Sequence, residues 1–455
     1  MTLPPALLTS LQGLSGFSSE AFVQVHESGE QLTSLRLNPS KTGGQLPTVF
    51  SDSAVAVPWT HMGFYLPVRP SFTFDPLFHA GLYYVQEASS MFLEQAIRQL
   101  TDQSVPIKAL DLCAAPGGKS THIQSLLPAG SLLVSNEVIR ARANVLRDNI
   151  VKWGAAQVVV TNNDPKDFAS LNGFFDLIVA DAPCSGSGLF RRDPEAISEW
   201  SLNNVQLCSQ RQQRILADCW PSLKEDGLLI YSTCSYSTEE DEQIMDWIAQ
   251  DLQGENCPLN FPPDWGIVET ISQGGNRGYR FWPDKVKGEG FFLACFRKRS
   301  GEEPVRTKVR KAPEMATRGE QELVGRWMKT EGRSLIKHQQ TVYAWPQDRL
   351  VDFSFLLERL RVVYSGVKAG ELMRDKLVPD HALAMSGLVL AQVPRIPLTR
   401  DEAIRFLQRK DFSLAGAPVG WALAGYEDSV LGWMNILPGR INNYYPKELR
   451  ILKDI

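Results

Sequence analysis

Two cysteines, Cys184 and Cys234, lie in short polar segments that could support covalent chemistry. Cys184 belongs to the segment Asp-Ala-Pro-Cys-Ser-Gly at residues 181–186, and Cys234 to the segment Tyr-Ser-Thr-Cys-Ser-Tyr at residues 231–236. Each segment follows an apolar run predicted to be a strand, and open α/β sheets build their sites at the carboxyl ends of strands. We therefore treat both cysteines as candidates for nucleophilic chemistry. Four others are interpreted as small buried hydrophobic residues: Cys208, Cys219, Cys257 and Cys295.

A loop with two glycines is the third segment of interest. It follows the apolar run at residues 107–113 and precedes a predicted helix, so a ligand can approach its backbone at the end of a first strand. Its spacing matches neither the phosphate-binding GxxxxGK[ST] loop nor the dinucleotide-binding GxGxxG pattern. The loop residues that we assign to cofactor binding are Cys113, Ala114, Ala115, Pro116, Gly117, Gly118 and Lys119.

Three acidic residues follow successive predicted strands. Glu137 ends the second strand, Asp164 follows the third, and Asp181 ends the fourth. A carboxylate after the second strand can accept hydrogen bonds from both hydroxyls of a ribose. Each acid alone could be a helix N-cap or a turn residue, but the ordered series favours a nucleoside without phosphates. S-adenosylmethionine is such a ligand, because its sulfonium and ammonium cations favour nearby carboxylates.

A methyl donor beside a thiol is suited to one difficult reaction. Carbon 5 of a pyrimidine is not nucleophilic, so a thiolate must first add to carbon 6. Carbon 5 then behaves as an enamine and can attack the methyl sulfonium. With two cysteines, one can attack and the other can assist product release.

The elements that carry these segments alternate along the middle of the chain. Apolar strand-like runs alternate with helical stretches, which is the pattern of a parallel α/β sheet. The runs lie at residues 107–113, 131–136, 158–162, 175–181, 228–234 and 291–296.

Composition excludes several classes of protein. Hydrophobic residues are 43% of the chain and charged residues 22%, which is typical of a globular protein and not of a disordered one. No run approaches the ~18 apolar residues of a membrane span, and the N-terminus lacks a signal peptide pattern. The seven cysteines and six histidines lack the spacing of a disulfide framework or a metal site. We therefore expect a cytoplasmic protein without a metal and without a membrane partner.

Charge is divided unevenly between the two parts of the chain. Residues 1–295 carry 20 basic and 32 acidic side chains, and residues 296–455 carry 27 and 19, which gives net charges of −12 and +8. This asymmetry suggests that one part contacts a polyanion, although an ordinary solvated surface would also account for it.

The segments described above resemble the RNA 5-methylcytosine methyltransferases of the Nol/Nop/Sun family, and the whole chain is similar to the bacterial RsmF branch. Pro283-Asp284 departs from relatives, which often have Pro-His. The resemblance implies that Cys234 is the nucleophile and that Cys184 helps to release the product. It also implies that S-adenosylmethionine contacts the 113–119 loop, Glu137, Asp164 and Asp181, with Arg142 supporting the loop. The matching segments are Arg36-Leu37-Asn38, 81–86, 113–119, Asn136-Glu137, Asp164, 181–186, 191–194, 233–235 and 288–292.

The resemblance also implies an α/β architecture. We expect a Rossmann-like S-adenosylmethionine-dependent methyltransferase core, a small α+β N-terminal domain and C-terminal RNA-binding modules that include a PUA-like domain. The expected divisions are an N-terminal RNA-binding domain at 1–95, the methyltransferase domain at 96–299, a basic linker at 300–320, an RsmF-type extra module at 321–392 and the PUA-like domain at 393–455.

The side chains that would hold RNA leave alternatives open. Arg191 and Arg192 follow the Cys184 segment and either meet phosphates near a flipped base or form surface salt bridges with Asp193 or Glu195. In the C-terminal region, Trp433 and Tyr445 either stack on bases or fill the core of a small barrel.

The function that we expect is methylation of carbon 5 of a cytosine in RNA, most simply 16S ribosomal RNA or the small ribosomal subunit. DNA is not expected as a substrate, and we expect a monomer. One alternative is a tRNA cytosine methyltransferase of the same family. A different alternative is an RNA-binding ribosome-assembly factor without activity, which the intact Cys184, Cys234 and cofactor loop argue against.

Overall fold

A mixed ten-stranded sheet carries the residues singled out above. The computed structural model describes residues 2–51, 53–301, 303–305 and 307–454. Within these residues the chain forms four β-sheets, of which the ten-stranded sheet is the largest. Every helix in the described ranges is too short or too polar to span a lipid bilayer.

A small antiparallel sheet precedes the large one. Its strands are β1 (Thr33–Leu37), β2 (Val55–Ala56), β3 (Gly63–Leu66) and β4 (Tyr83–Val85), in the order β2-β3-β1-β4. Leu35 and Leu37 of β1 are fully buried in a cluster with Phe50 and Tyr83, so this region has a core of its own. Its helices are α1 (Pro5–Ser10), α2 (Ser19–Glu27), α3 (Pro39–Thr42), α4 (Thr48–Ser51), α5 (Pro76–His79) and α6 (Leu93–Leu100).

Five parallel strands form the centre of the large sheet. They are β5 (Lys108–Asp111), β6 (Leu132–Asn136), β7 (Val158–Thr161), β8 (Phe175–Asp181) and β9 (Leu223–Thr233), in the order β7-β6-β5-β8-β9. The strands are rich in Val, Leu and Ile because both faces of the sheet are covered. The expected α/β class with a Rossmann-like core is therefore confirmed. The helices are α7 (Gly118–Leu126), α8 (Arg140–Trp153), α9 (Ala196–Glu199), α10 (Leu202–Cys219) and α11 (Glu242–Asp251).

Antiparallel strands extend the sheet beyond β9. They are β10 (Gly254–Asn256), β11 (Val268–Ile271), β12 (Arg277–Phe281) and β13 (Phe291–Lys298). The order is β9-β13-β12-β11, and β10 also pairs with β13. Because β13 lies directly beside β9, the segment before Phe291 approaches the end of β9 that carries Cys234.

The opposite edge of the sheet is completed by a strand from the C-terminal part of the chain. Strand β16 (Val362–Ser365) pairs antiparallel with β7, although it lies inside the extra module expected at 321–392. The ring of Phe355 stacks on Phe174 with centroids 5.6 Å apart, which joins this region to the core of the large sheet. The other elements are α12 (Arg318–Gly325), β14 (Arg333–His338), β15 (Thr341–Pro346), α13 (Leu350–Leu357), β17 (Val367–Met373), β18 (Lys376–Pro379) and α14 (His381–Met385).

The last sheet has its own aromatic core. Trp433 is fully buried and Tyr445 is 3% exposed, so both fill the core and neither is available for base stacking. Tyr444, by contrast, is exposed and packs against Trp421 with ring centroids 4.4 Å apart. The elements are β19 (Arg395–Pro397), α15 (Arg400–Gln408), β20 (Gly420–Tyr426), β21 (Ser429–Leu437) and β22 (Arg440–Asn443).

The N-terminal region docks on the large sheet through a buried arginine. Arg36 Nη2 donates a hydrogen bond to Thr121 Oγ1 at 2.6 Å, and its guanidinium lies 4.6 Å from the centroid of the Trp153 ring. Burial lowers the pKa of Arg36 to about 9, so the group remains charged at neutral pH. Asn38 Nδ2 also donates to the Trp153 carbonyl at 2.9 Å, which satisfies a carbonyl at the end of α8.

A second buried polar contact joins α6 to α7. Glu94 accepts hydrogen bonds from Thr60 Oγ1 at 2.6 Å, from Arg98 Nε at 2.7 Å and from His122 Nε2 at 3.3 Å. Burial alone would raise the pKa of Glu94, but these hydrogen bonds and His122 hold it well below its ordinary value. Burial lowers the pKa of His122 to about 4, so the contact at neutral pH is a hydrogen bond from a neutral imidazole.

Stability should therefore fall as the pH is lowered from neutrality. In the unfolded chain the imidazole has a pKa of about 6.5. Between that value and 4 the unfolded state binds a proton that folded His122 does not, so protons favour unfolding. We expect the thermal midpoint of His122→Gln to depend less on pH between 7.5 and 5 than that of the wild type. Exposed His338→Gln is the control, and equal pH dependence in all three proteins would contradict the assignment.

Candidate active site

The pairing of β8 with β9 brings the two candidate cysteines into contact. Asp181 at the end of β8 lies opposite Ser232 near the end of β9. Cys184 and Cys234 follow these strand ends, and their Sγ atoms lie 2.8 Å apart. The hydrogen bond with Cys234, together with burial, raises the pKa of Cys184 well above its ordinary value. Cys184 is therefore a thiol at neutral pH, and its hydrogen is within reach of the sulfur of Cys234.

A buried cation stands beside this pair. Lys119 Nζ lies 2.8 Å from Asp181 Oδ2, and Ser232 Oγ donates to Asp181 Oδ1 at 2.8 Å. Although burial opposes the charge, Asp181, Asp111 and Cys234 raise the pKa of Lys119 above its ordinary value. The lysine therefore stays positive at neutral pH, beside Asp181 and the sulfur of Cys234.

Two side chains of α8 hold the glycine loop by hydrogen bonds to its backbone carbonyls. Arg142 Nη2 donates to the Ala115 carbonyl at 2.8 Å, and Asn149 Nδ2 donates to the Pro116 carbonyl at 2.9 Å. Gly117 has a φ of +116°, a backbone conformation that favours glycine, and directly precedes the first residue of α7. The loop from Cys113 to Lys119 thus turns the end of β5 into the start of a helix, as its sequence predicts.

The acidic residues line one edge of the sheet. Because β8, β5, β6 and β7 are neighbours, Asp181, Glu137 and Asp164 follow strands that end at the same edge. Glu137 is 3% exposed, its Oε1 accepts from Ile139 N at 2.9 Å and its Oε2 lies 3.5 Å from Arg142 Nη1. Asp164 accepts from Lys166 N at 3.2 Å, so it also caps the turn that follows β7.

Asp111 is a further acidic residue that the sequence analysis did not assign to the site. It ends β5, is fully buried, and accepts a hydrogen bond from Ser120 Oγ at 2.6 Å through Oδ2. Its Oδ1 has no hydrogen-bond partner among the described residues. Burial, with the charges of Asp181 and Glu137, raises the pKa of Asp111 to about 7. The signal that could have found it is the one used for Asp181, an acid at a strand end.

The residues present fit S-adenosylmethionine. Burial raises the pKa of Cys113 well above its ordinary value, and the charges of Asp111, Asp181 and Glu137 raise it further. The region beside the loop is therefore electronegative. An unpartnered carboxylate oxygen of Asp111 and a negative potential suit the ligand's two cations, and Glu137 stands directly after β6, where an acid that binds a ribose is expected. In the described part of the chain no group of three or more His, Cys, Asp or Glu side chains could hold a metal ion.

Arg191 and Arg192 have different environments. Arg191 is 6% exposed and donates to the carbonyls of Gly288 at 3.1 Å and Glu30 at 2.9 Å, so the expected phosphate contact is wrong for this residue. Arg192 is exposed and lines a cleft between the N-terminal region and the catalytic sheet, together with Arg69 and Lys287. Glu87 and Glu289 also line this cleft, so three basic and two acidic side chains meet there.

Three family models match separate parts of the chain. The model "16S rRNA methyltransferase RsmB/F" matches residues 100–297. The model "N-terminal domain of 16S rRNA methyltransferase RsmF" matches residues 3–88, and the model "Methyltransferase RsmF PUA domain" matches residues 393–451. The N-terminal and C-terminal regions of the chain are thus similar to RsmF domains as well.

Curated relatives are similar along most of the chain. The ribosomal RNA small subunit methyltransferase F of Shewanella piezotolerans is 29% identical over 411 residues, which are 86% of this chain and 85% of the relative. The protein of the same name from Escherichia coli O1:K1 is 28% identical over 440 residues, covering 91% of this chain and 90% of the relative.

Solved structures share the fold of about two thirds of the chain. A methyltransferase homologue from Pyrococcus horikoshii is 29% identical, with a TM-score of 0.52, and covers 65% of this chain and 100% of that chain. NSun6 from Pyrococcus horikoshii with SFG is 18% identical, with a TM-score of 0.53, and covers 65% of this chain and 98% of that chain.

The backbone of Gly188 packs between the backbones of Cys234 and Gly290. Gly188 N donates to the Cys234 carbonyl at 2.8 Å, and Gly290 N donates to the Gly188 carbonyl at 3.2 Å. A Cβ on Gly188 would lie 2.5 Å from the Gly290 carbonyl oxygen and 2.7 Å from that of Cys234. Backbone atoms on both sides leave no room for a methyl group, so a side chain here must displace the Cys234 loop.

Gly188→Ala should therefore destabilise the protein by about 1–3 kcal/mol, the usual effect of overpacking, and lower methyltransferase activity. Denaturant unfolding and a methyl-transfer assay measure the two effects. Gly319→Ala is the control, because a Cβ at Gly319 meets no atom within 4 Å. Wild-type stability and activity in Gly188→Ala would show that the Cys234 loop tolerates displacement.

Proposed function

Since the chain belongs to the 16S rRNA methyltransferase RsmB/F family, we propose that it methylates carbon 5 of a cytosine in small-subunit ribosomal RNA. It is an RNA methyltransferase, and its methyl donor is S-adenosylmethionine. The observation that carries the finer proposal is the contact between Cys184 and Cys234 beside Lys119. Transfer to oxygen or nitrogen would need no such pair of thiols, whereas carbon 5 requires covalent activation.

Cys234 is the attacking residue in this proposal. Its sulfur lies 2.8 Å from that of Cys184 and near the charge of Lys119, and a neighbouring cation is the environment in which a cysteine acts as a nucleophile. The Cys234 thiolate adds to carbon 6 of the cytosine, and the electron pair that reaches carbon 5 makes it nucleophilic. S-adenosylmethionine supplies the electrophilic methyl group that carbon 5 takes up.

Cys184 assists the release of the product. Water accepts the carbon-5 proton, the double bond between carbons 5 and 6 reforms, and the bond from carbon 6 to Cys234 breaks. The electrons of that bond return to Cys234 as a thiolate. Cys184, held as a thiol, donates a hydrogen bond to the leaving sulfur and so lowers the barrier of this step.

Substitution of each cysteine separates the two roles. Cys234→Ser should abolish methylation and form no adduct, because a hydroxyl is far less acidic than a thiol. Cys184→Ala, which removes the hydrogen donor, should accumulate a protein–RNA adduct that survives denaturing gel electrophoresis, and the double variant Cys184→Ala/Cys234→Ser should form none. Cys257→Ser, remote from the pair in the β10 region, is the control. An adduct in Cys234→Ser would instead assign attack to Cys184.

The RNA substrate is proposed from the names of the relatives, which are ribosomal RNA small subunit methyltransferases. Bisulfite mapping of ribosomal and transfer RNA from cells with and without the protein tests this choice. Loss of a 5-methylcytosine from 16S rRNA supports the proposal, and loss from tRNA alone would favour the tRNA alternative. The division at residues 95, 299, 320 and 392, the monomeric state and the cytoplasmic location stay predictions.

Arg192, Arg69 and Lys287 are the groups that we propose for RNA backbone contact near the site. Arg192→Glu should weaken RNA binding and reduce the slope of log affinity against log salt concentration by about 1, because one phosphate contact is lost. Arg192→Lys keeps the charge and should keep the slope, and neither change should alter S-adenosylmethionine affinity in calorimetry. An unchanged slope in Arg192→Glu would exclude a phosphate contact at this residue.

A further inference from the structure

A buried carboxylate connects the two cysteine segments. Glu240 lies between β9 and α11 and is fully buried. Its Oε1 accepts hydrogen bonds from Ser185 N at 2.8 Å and from Gln212 Nε2 at 3.2 Å. Its Oε2 accepts from Ser185 Oγ at 2.5 Å and from Ser235 Oγ at 2.6 Å. Four donors therefore converge on one side chain.

Three of the four donors belong to the residues that directly follow the two cysteines. Ser185 follows Cys184, and Ser235 follows Cys234. The two hydroxyl oxygens lie 3.4 Å apart and donate to the same oxygen of Glu240, Oε2. Because Glu240 binds both serines, the distance between the two loops depends on it.

Packing alone does not account for a carboxylate at position 240. An isolated buried carboxylate is costly, and an apolar side chain of similar size would fill the same volume without that cost. Burial raises the pKa of Glu240 above its ordinary value, and the bonds from Ser185 and Ser235 oppose this effect. The negative charge of Glu240 is also among the causes that raise the pKa of Cys184, after its hydrogen bond to Cys234 and burial.

We propose that Glu240 is a positioning residue that holds the Cys184 and Cys234 loops at the separation at which the two thiols touch. It does not contact the reacting atoms itself and acts through Ser185 and Ser235. The proposal rests on the proposed covalent mechanism only for its effect on turnover. The juxtaposition of the thiols can be measured without any methyl transfer.

The first experiment measures that juxtaposition with phenylarsine oxide. The arsenic exchanges its oxygen for the sulfurs of two thiols, whose two protons leave with that oxygen as one water, so tight binding requires two adjacent thiols. Wild-type protein should bind one equivalent at Cys184 and Cys234, as intact-mass and peptide analysis will identify. Glu240→Ala should bind the reagent at least about ten-fold more weakly, because the second sulfur no longer lies in reach. Glu240→Gln, which keeps the size and one acceptor oxygen, should recover part of the affinity.

The matched control is Glu239→Ala. Glu239 is the adjacent acid, and its side chain contacts Thr238 rather than either cysteine loop. It should bind phenylarsine oxide like the wild type. If Glu240→Ala does not fold, the double variant Ser185→Ala/Ser235→Ala removes the two hydroxyl donors, leaves the carboxylate in place, and should weaken reagent binding in the same direction.

The second experiment separates positioning from a general loss of structure. Glu240→Ala should lower kcat by about 100-fold, the effect of a displaced reacting group, with little change in KM for RNA or in S-adenosylmethionine affinity. A parallel fall in S-adenosylmethionine affinity would mean a wider structural defect and would overturn the positioning role.

The outcomes distinguish this proposal from the proposed function. Wild-type affinity for phenylarsine oxide in Glu240→Ala overturns the positioning role, and so does a wild-type protein that does not bind the reagent across Cys184 and Cys234. Methylation by Cys234→Ser would overturn covalent catalysis alone, and the effect of Glu240 on reagent binding would still stand.

Discussion

Strands β8 and β9 pair in parallel with Asp181 opposite Ser232, and the arrangement of the site depends on this register. A shift by one residue would turn every side chain of one strand to the other face of the sheet. Asp181 would then lose Ser232, and the segments that carry Cys184 and Cys234 would leave the sheet at different heights. The buried strands on both sides of the pair, β5 and β13, make such a shift costly because both faces are packed. The core of the sheet thus determines a contact between two sulfur atoms outside it.

The N-terminal region supports the cofactor loop rather than merely preceding it. Arg36 reaches from β1 to Thr121 in α7, the helix that begins in the loop. An arginine buried in this way is unfavourable unless its donors find acceptors. Gln86 accepts from Nε at 2.8 Å, whereas Nη1 has no hydrogen-bond partner among the described residues. Removal of the N-terminal region would therefore take away the contact that Arg36 makes with α7. The side chain of Arg69, which we propose for RNA contact, therefore belongs to a region that is fixed to the catalytic sheet.

The sequence predicts the fold class and the strand ends well, because apolar runs and glycine turns are local signals. It therefore predicts which segments meet at the sheet edge, although the roles of Cys184, Cys234 and the acids stay predictions. The predictions from sequence fail where a residue's environment depends on contacts with distant parts of the chain. An arginine beside polar residues is expected at the surface, but Arg191 is buried against the backbone of Gly288, which is far away in the sequence. Glu240 lies in a run of four acids, typical of an exposed helix start, and only the tertiary fold turns it inward. The pairing of β16 with β7 depends on residues far apart in the chain, which periodicity cannot reveal.

That last pairing has a consequence for the order in which the chain can mature on the ribosome. Residues up to Lys298 emerge first and contain all the strands of the large sheet except β16. Until residue 365 has been synthesised, the backbone of β7 from Val159 to Thr161 is an unpaired sheet edge. Such an edge can recruit another nascent chain, and proteins usually cover it. The edge of the large sheet is therefore covered by β16, which is synthesised late. A chain that terminates before β16 retains the cysteines and the cofactor loop but leaves the edge of β7 free to pair with another chain.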